Sequence, residues 1–404
     1  MKILHTGDWH LGKQLYREEL REEQHQYFEF LLNTIKKEAV DVLLVSGDVF
    51  DYANPSNESK KMYLDFLGAL KQQGDIKVVI TAGNHDSITY LESSKQVLQL
   101  LDIQVVGSPE NVSLLPMKEG GEVKAVVIPI PFIADRFLRK GMEMASEEDK
   151  IEACRQALIS VFDSWSKQAA EAYPGIPRIC VGHLFIQGAN VSDSERKIQI
   201  GNLASLNVSH LDHMFEYMAL GHIHKPQKLS EKVRYAGSPV ALSFSERSDD
   251  KLMILIEIEE DTIKTRNIAV PTFRKLVRFS GTFAEVKEKL EAYRNEFELP
   301  TFVELEVKES FYDPAKIVLL KDLEASYQTS AVKVLSTKIM FTERETATEG
   351  NRLSGKQLNE LDPIEVFEER FKSEALEAED KSLMRMAFLE ILEEVQSTLT
   401  YENQ

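Results

Sequence analysis

Cysteine is nearly absent from this 404-residue chain: only Cys154 and Cys180 occur. Two thiols cannot staple so long a chain, which excludes a disulfide scaffold. Such usage predicts small buried apolar residues in a reducing cytoplasm. Long apolar runs are lacking too, and no stretch nears the roughly 18 residues of a membrane span. Met1 leads straight into a strand-like pattern, which predicts no signal peptide. Internal repeats and low-complexity tracts are missing. Basic charge is scarce: 48 Lys and Arg stand against 66 Asp and Glu, a net charge of −18. A protein that binds nucleic acid unaided usually carries a basic surface. The balance therefore argues against DNA, unless metal ions offset it locally or a partner chain supplies a basic groove. Part of the excess is segregated, since residues 351–404 hold 13 acidic and 6 basic side chains, a net of −7.

What is present is the composition of a globular protein, 43% hydrophobic and 28% charged. The length allows a core of roughly 250 residues with one or two appendages. Strand-like stretches fall at 2–6, 40–46, 77–81, 103–106, 125–130, 178–181, 217–220, 233–236 and 251–258. Several are continuous apolar runs, as expected of strands covered on both faces. Helix-like stretches at 18–38, 56–72 and 148–170 lie between them. The alternation predicts a layered α/β core over 1–270. Residues 271–341 read as a small βαβαβ appendage without histidine, with strands at 274–279, 301–307 and 331–339 and helices at 283–297 and 313–324. Residues 342–360 are polar, contain Gly350 and Gly355, and predict a linker. Helices are expected within 361–404, the first opened by Asp362 and Pro363 at N-cap and N1. The second presents a broad apolar stripe through Leu383, Ala387, Phe388, Ile391 and Leu392. That stripe predicts docking either on the chain's own body or on a partner helix.

Five polar clusters close five apolar runs: Gly7-Asp8-Trp9-His10, Gly47-Asp48, Gly83-Asn84-His85-Asp86, Gly182-His183 and Gly221-His222-Ile223-His224. In open α/β sheets, binding residues gather at the carboxyl ends of strands, so five strands would aim these clusters at one crevice. Asp8 and His10 share the i, i+2 spacing of an extended segment and could serve one cation. His222 and His224 repeat that spacing and could serve two, one each. Asp48 follows a fully apolar run, and a carboxylate there can bridge two ions. With Asn84 and His183 the set comprises two carboxylates, one amide and four imidazoles. Such a mixture suits Mn, Fe(II) or Zn better than Mg or Ca. Two divalent ions can activate a water against phosphorus. His85 points away from its ligand neighbour and is the candidate catalytic residue, placed either to protonate the leaving oxygen or to steady the phosphate. Asp86 is expected either to orient His85 or to cap a turn. His5 reads as a packed core residue, while His25, His210 and His213 read as surface or helix positions.

Asp-x-His, Gly-Asp, Gly-Asn-His-Asp, Gly-His and Gly-His-x-His, spanning Asp8 to His224, resemble the calcineurin-like metallophosphoesterase pattern. Thr6-Gly7-Asp8-Trp9-His10-Leu11-Gly12, Ser46-Gly47-Asp48-Val49-Phe50-Asp51, Tyr235-Ala236-Gly237-Ser238-Pro239, Leu242-Ser243-Phe244-Ser245-Glu246 and Leu361-Asp362-Pro363-Ile364-Glu365-Val366-Phe367 resemble the SbcD nuclease family within it. The resemblance implies two mixed sheets face to face, flanked by helices, with a DNA-facing α+β capping domain and C-terminal helices. It implies one ion on Asp8, His10, Asp48 and His224, the other on Asp48, Asn84, His183 and His222, with Mn the usual metal. It implies a DNA exonuclease and endonuclease for repair and recombination, dimeric within a heterotetramer with a coiled-coil ATPase of the SbcC kind. The chain has no Gly-x-x-x-x-Gly-Lys-Ser/Thr loop of its own. Archaeal and eukaryotic relatives carry a histidine where Asp51 stands here, so that residue's role does not transfer. The alternative expectation is a phosphatase or cyclic-nucleotide phosphodiesterase.

Overall fold

The structure, a computed structural model, describes residues 1–138, 147–192, 195, 206–259, 262–329 and 331–341, with isolated positions between 364 and 392. The chain enters through β1 (Lys2–Thr6) and a short hairpin of β2 (Gln14–Leu15) and β3 (Glu18–Glu19), followed by α1 (Arg21–Glu38), β4 (Val42–Ser46), α2 (Asn57–Gln72), β5 (Lys77–Thr81) and β6 (Ile103–Val106). Then come β7 (Leu115–Glu119), β8 (Glu122–Ile130), the helix Glu147–Ala172, β9 (Arg178–His183), β10 (Tyr217–Gly221), β11 (Gln227–Lys228), β12 (Val233–Tyr235), β13 (Leu252–Glu259) and β14 (Thr262–Ala269). The hairpin corrects the sequence reading of a helix beginning at residue 18.

These strands make two six-stranded sheets, ordered β14-β13-β1-β4-β5-β6 and β11-β12-β10-β9-β8-β7. In the first, β1, β4, β5 and β6 run parallel while β13 is antiparallel to β1. In the second, β8, β9, β10 and β12 are parallel, and β7 and β11 are antiparallel edges. Both sheets are therefore mixed. Period-2 alternation explains their stacking. Ile3, Val42, Leu44 and Val79 of the first sheet bury against Val127, Ile179, Val181 and Ala219 of the second. The intervening Leu4, Leu43, Val45 and Ile80 turn outward to α1 and α2. Helix Glu147–Ala172 covers the second sheet through Leu158 and Phe162. The layers run helix, sheet, sheet, helix, and the carboxyl ends of β1, β4, β5, β9 and β10 meet on one side.

Further on, β15 (Leu276–Gly281), β16 (Thr301–Glu309) and β17 (Val332–Phe341) form a three-stranded sheet packed by helices Phe283–Ala292 and Pro314–Ser326. It has its own small core, including Val286, Leu290, Val303, Leu305 and Leu320. A capping box joins Thr282 and Glu285 at the start of the first helix. Arg274 ties this region to α1: its guanidinium bonds Glu23 at 2.8 Å and Glu22 at 3.0 Å and lies 4.1 Å from the Phe302 ring centre.

Residues 1–308 and 313–340 form one compact unit; 309–312 and 341–404 form a second. Within the second, Tyr312 meets Phe341 edge-on and Phe367 stacks on Phe388 with ring centres 4.1 Å apart. The expected linker at 342–360 lies outside the described residues, as does most of 361–404. Among the described positions there, Ile364, Phe367, Phe388 and Leu392 are helical.

Candidate metal centre

The loops leaving β1 and β4 run side by side, because Asp8 N–H donates to Gly47 O at 3.0 Å and His10 N–H to Asp48 O at 2.9 Å. Their backbone is not the extended segment that the i, i+2 spacing suggested. Asp8, His10 and Asp48 have φ of 50°, 45° and 47°, and His222 has 102°. Non-glycine residues avoid this region, and such strain collects at functional sites. Gly83 and Gly221 serve close approach: a Cβ on Gly83 would sit 2.0 Å from Asp48 Oδ1, and one on Gly221 1.7 Å from Ser46 O.

Each carboxylate spends one oxygen on a loop from elsewhere. Asp8 Oδ1 accepts the His222 N–H at 2.9 Å, and Asp48 Oδ1 accepts the His85 N–H at 2.9 Å. The second oxygens face inward. Asp8 Oδ2 is buried without a hydrogen-bond partner among the described residues. Asp48 Oδ2 lies 3.4 Å from His10 Nε2 and 3.4 Å from His183 Nε2, midway between two halves of the cluster.

The histidines are held from behind. His183 Nδ1 donates to Ser46 O at 3.0 Å, His85 Nδ1 to Asp51 O at 2.8 Å, and His10 Nδ1 to Asp51 Oδ1 at 3.0 Å. His224 Nδ1 faces Glu246 Oε1 at 3.4 Å. A proton fixed on Nδ1 leaves the Nε2 lone pair as the presented atom, the usual arrangement behind a metal-binding imidazole. Asn84 Oδ1 in turn lies 2.9 Å from His183 Nε2 and 3.0 Å from His222 Nδ1. Carboxylate oxygens, an amide oxygen and imidazole lone pairs thus converge, and only a cation or a proton reconciles them. The donor set fits divalent metal, and Asp8, His10 and Asp48 offer ligand atoms close enough together to share an ion. A rival grouping of His10, Asp51 and His85 also has atoms close enough for an ion. It is the weaker one, because His10 Nδ1 and His85 Nδ1 already donate to Asp51.

Electrostatics agree. Burial pushes Asp8 up to about 7 despite the opposing imidazoles of His183 and His224. Burial also favours the neutral acid at Asp48, yet His183, His85 and His10 hold it well below the usual carboxylate range. Burial alone would lower His183, but Asp48 and Asp8 outweigh it and raise the imidazole to about 9. A proton on His183 stands where a cation would. His10 and His222 are driven down to about 4 and about 3, chiefly by burial, and so offer neutral rings at pH 7.

All eight residues singled out from the sequence meet in this crevice. Asp86 does not face His85. Its carboxylate accepts the N–H groups of Gly83, Phe50 and Val49 at 2.9, 3.0 and 3.1 Å, lashing the β4 loop to the β5 loop. Three supporting residues escaped sequence reasoning. Asp51 holds two histidines, one through its side chain and one through its carbonyl; Glu246 and Glu195 surround His224. Asp51 and Glu246 sit at the ends of motifs noted in the sequence, but nothing in the order of residues reveals what they touch.

Comparison with known proteins adds the family. The calcineurin-like phosphoesterase model matches residues 1–226, and the type 5 capsule protein repressor C-terminal domain model matches residues 272–375. The SbcD component of the SbcCD nuclease of Escherichia coli (strain K12) is 31% identical over 401 residues, 96% of this chain and 97% of that protein. The chain belongs to the SbcD family of calcineurin-like phosphoesterases. The SbcD component from Rhodobacter capsulatus is 33% identical over 270 residues, covering 64% of this chain and 66% of that protein. Its counterpart from Bacillus subtilis is 26% identical over 315 residues, covering 76% and 79%. No helix among the described residues is long and apolar enough to cross a membrane.

Proposed function

We propose that the chain is the metal-dependent nuclease component of an SbcCD-type complex, hydrolysing DNA phosphodiesters at duplex ends and hairpins in repair and recombination, in the cytoplasm. The observation that carries the chemistry is Asp48 Oδ2, equidistant at 3.4 Å from one histidine of each half-site. Asp8, His10, Asp48 and His224 hold one ion; Asp48, Asn84, His183 and His222 hold the other. The nitrogen and oxygen donors suit Mn. When bound, the ions activate a water and neutralise charge on the attacked phosphate. Asp48 keeps the two half-sites in register, and its Oδ1 fixes the His85 main chain. His85, its Nδ1–H anchored on Asp51 O, acts as the imidazolium: it gives a second proton, carried on Nε2, to the departing sugar oxygen and is left as the neutral ring.

Residues 1–270 form the nuclease domain in this reading, and 271–341 the capping domain that meets DNA. Residues 342–360 are the linker to helices at 361–404 that grip an ATPase with a coiled coil. The complex is a heterotetramer with two copies of each chain, and the partner supplies the basic surface that a net charge of −18 denies this chain. The family match over nearly the whole chain supports this reading over a phosphatase or cyclic-nucleotide phosphodiesterase. The test is cleavage of a hairpin DNA and of an aryl phosphate with Mn²⁺, with and without the ATPase partner. Hairpin opening that needs Mn²⁺ and is lost in Asp48→Ala is expected. Hydrolysis of the aryl phosphate alone, or full nuclease activity in Asp48→Ala, would reject the reading.

A further inference from the structure

His224 is restrained on every side but one. Its main-chain N–H donates to Glu195 Oε1. Its carbonyl accepts from Ser238 N–H at 3.1 Å and from Lys251 Nζ at 3.1 Å. Its Nδ1 faces Glu246 Oε1 at 3.4 Å. Glu246 is itself 1% exposed, and a carboxylate is rarely buried so deeply without a purpose. Its Oε2 takes Lys251 Nζ at 2.7 Å, Leu242 N–H at 3.1 Å and Ser238 Oγ at 3.3 Å. The glutamate is thus fixed in place, and its Oε1 faces His224 Nδ1 while also accepting from Ser243 Oγ at 3.3 Å and Ser192 Oγ at 3.4 Å. Lys251 balances its charge, so the negative end stays available to the histidine.

We propose that Glu246 is a positioning residue for the metal centre: it holds the proton of His224 on Nδ1 and turns Nε2 inward as the ligand atom. This rests on the reading of His224 as a metal ligand. The Leu242–Glu246 stretch carries this carboxylate. Here it becomes the backing of the last ligand in the chain. Carboxylates behind a metal-binding histidine fix its tautomer and raise its basicity. Lys251 and Ser238, which touch both Glu246 and the His224 carbonyl, make the arrangement a single bonded unit.

The test measures Mn²⁺ binding to the full chain by titration, with stability of the metal-free protein followed by thermal melting. Glu246→Gln is expected to weaken one of the two Mn²⁺ sites by roughly 10- to 100-fold. In a His224→Ala background the same change should alter Mn²⁺ affinity by no more than about twofold, because its route of action is gone. An equal loss with and without His224, or no loss at all, overturns the proposal. If Glu246→Gln fails to fold because Lys251 loses its counter-charge, Glu246→Gln with Lys251→Met removes both charges. That pair should fold and show the same loss, and undiminished Mn²⁺ affinity there is fatal to the idea. Wild-type chain that takes up fewer than two Mn²⁺ sinks the dinuclear reading itself, and this inference with it.

Discussion

At the scale of single residues, identity and exposure predict less than partners do. His85 and His5 are both histidines near the crevice, with opposite tasks. His85 presents Nε2 with no hydrogen-bond partner among the described residues. His85→Asn should lower kcat on DNA by roughly 10²–10⁴-fold, the usual worth of a general acid. Mn²⁺ content, measured by elemental analysis, should stay at the wild-type value; loss of metal would make His85 a ligand instead. His5 is locked between Tyr217 OH at 3.1 Å and Ser46 Oγ at 3.2 Å. Burial pulls its pKa from 6.5 down to about 3. The folded state therefore keeps this ring neutral while the unfolded chain protonates it below pH 6.5. The stabilisation is whole above that pH and drains away as pH falls toward 3. One pKa unit is worth 1.36 kcal/mol, so about 2 kcal/mol should be lost between pH 7 and pH 5. Urea unfolding at both pH values, with His5→Gln as reference, measures it; an equal drop in the variant means that other groups titrate.

At the scale of elements, the strand ends were legible and their fastenings were not. Apolar runs with Asp, Asn or His behind a glycine announced β1, β4, β5, β9 and β10, since such runs need cover on both faces and leave chemistry only at the tip. The layered α/β core and all eight candidate residues followed from that, while the pair of facing sheets was implied by the family resemblance. Strand β14 went unseen because it is an edge, mostly exposed, and rich in polar residues. Strand β3 was read as the start of α1, and β2 went unread, because two-residue strands leave no period. Asp51, Asp86 and Glu246 could not be assigned because their partners lie on other loops and exist only once the sheets are built. Asp86 is the clearest case. Asp86→Ala strands three N–H groups, two of the β4 loop and one of the β5 loop. It should cost at least roughly 3 kcal/mol, at about 1–3 kcal/mol for each of the three buried groups left unsatisfied. Denaturant melts would show it, and a change below 0.5 kcal/mol would mean that water replaces the carboxylate.

At the scale of the whole molecule, charge and connectivity divide the labour. A net charge of −18 leaves this chain poorly suited to hold a polyanion alone; in the proposed complex the grip would fall to a partner. Within the chain, Arg274 seats the small sheet on α1 by ion pairs and a ring contact.

The proposed ligands come from both large sheets: Asp8, Asp48 and Asn84 follow β1, β4 and β5, while His183 and His222 come with β9 and β10. Ions bound there would act as a staple across that end of the sandwich. Metal loading should then slow hydrogen exchange at the carboxyl ends of all five strands together, far beyond the liganding loops. Binding to the native state alone adds about 2.7 kcal/mol at a hundredfold excess of ion over Kd. Adding a chelator should release that much stability and let the two sheets part at one end while their far ends stay closed.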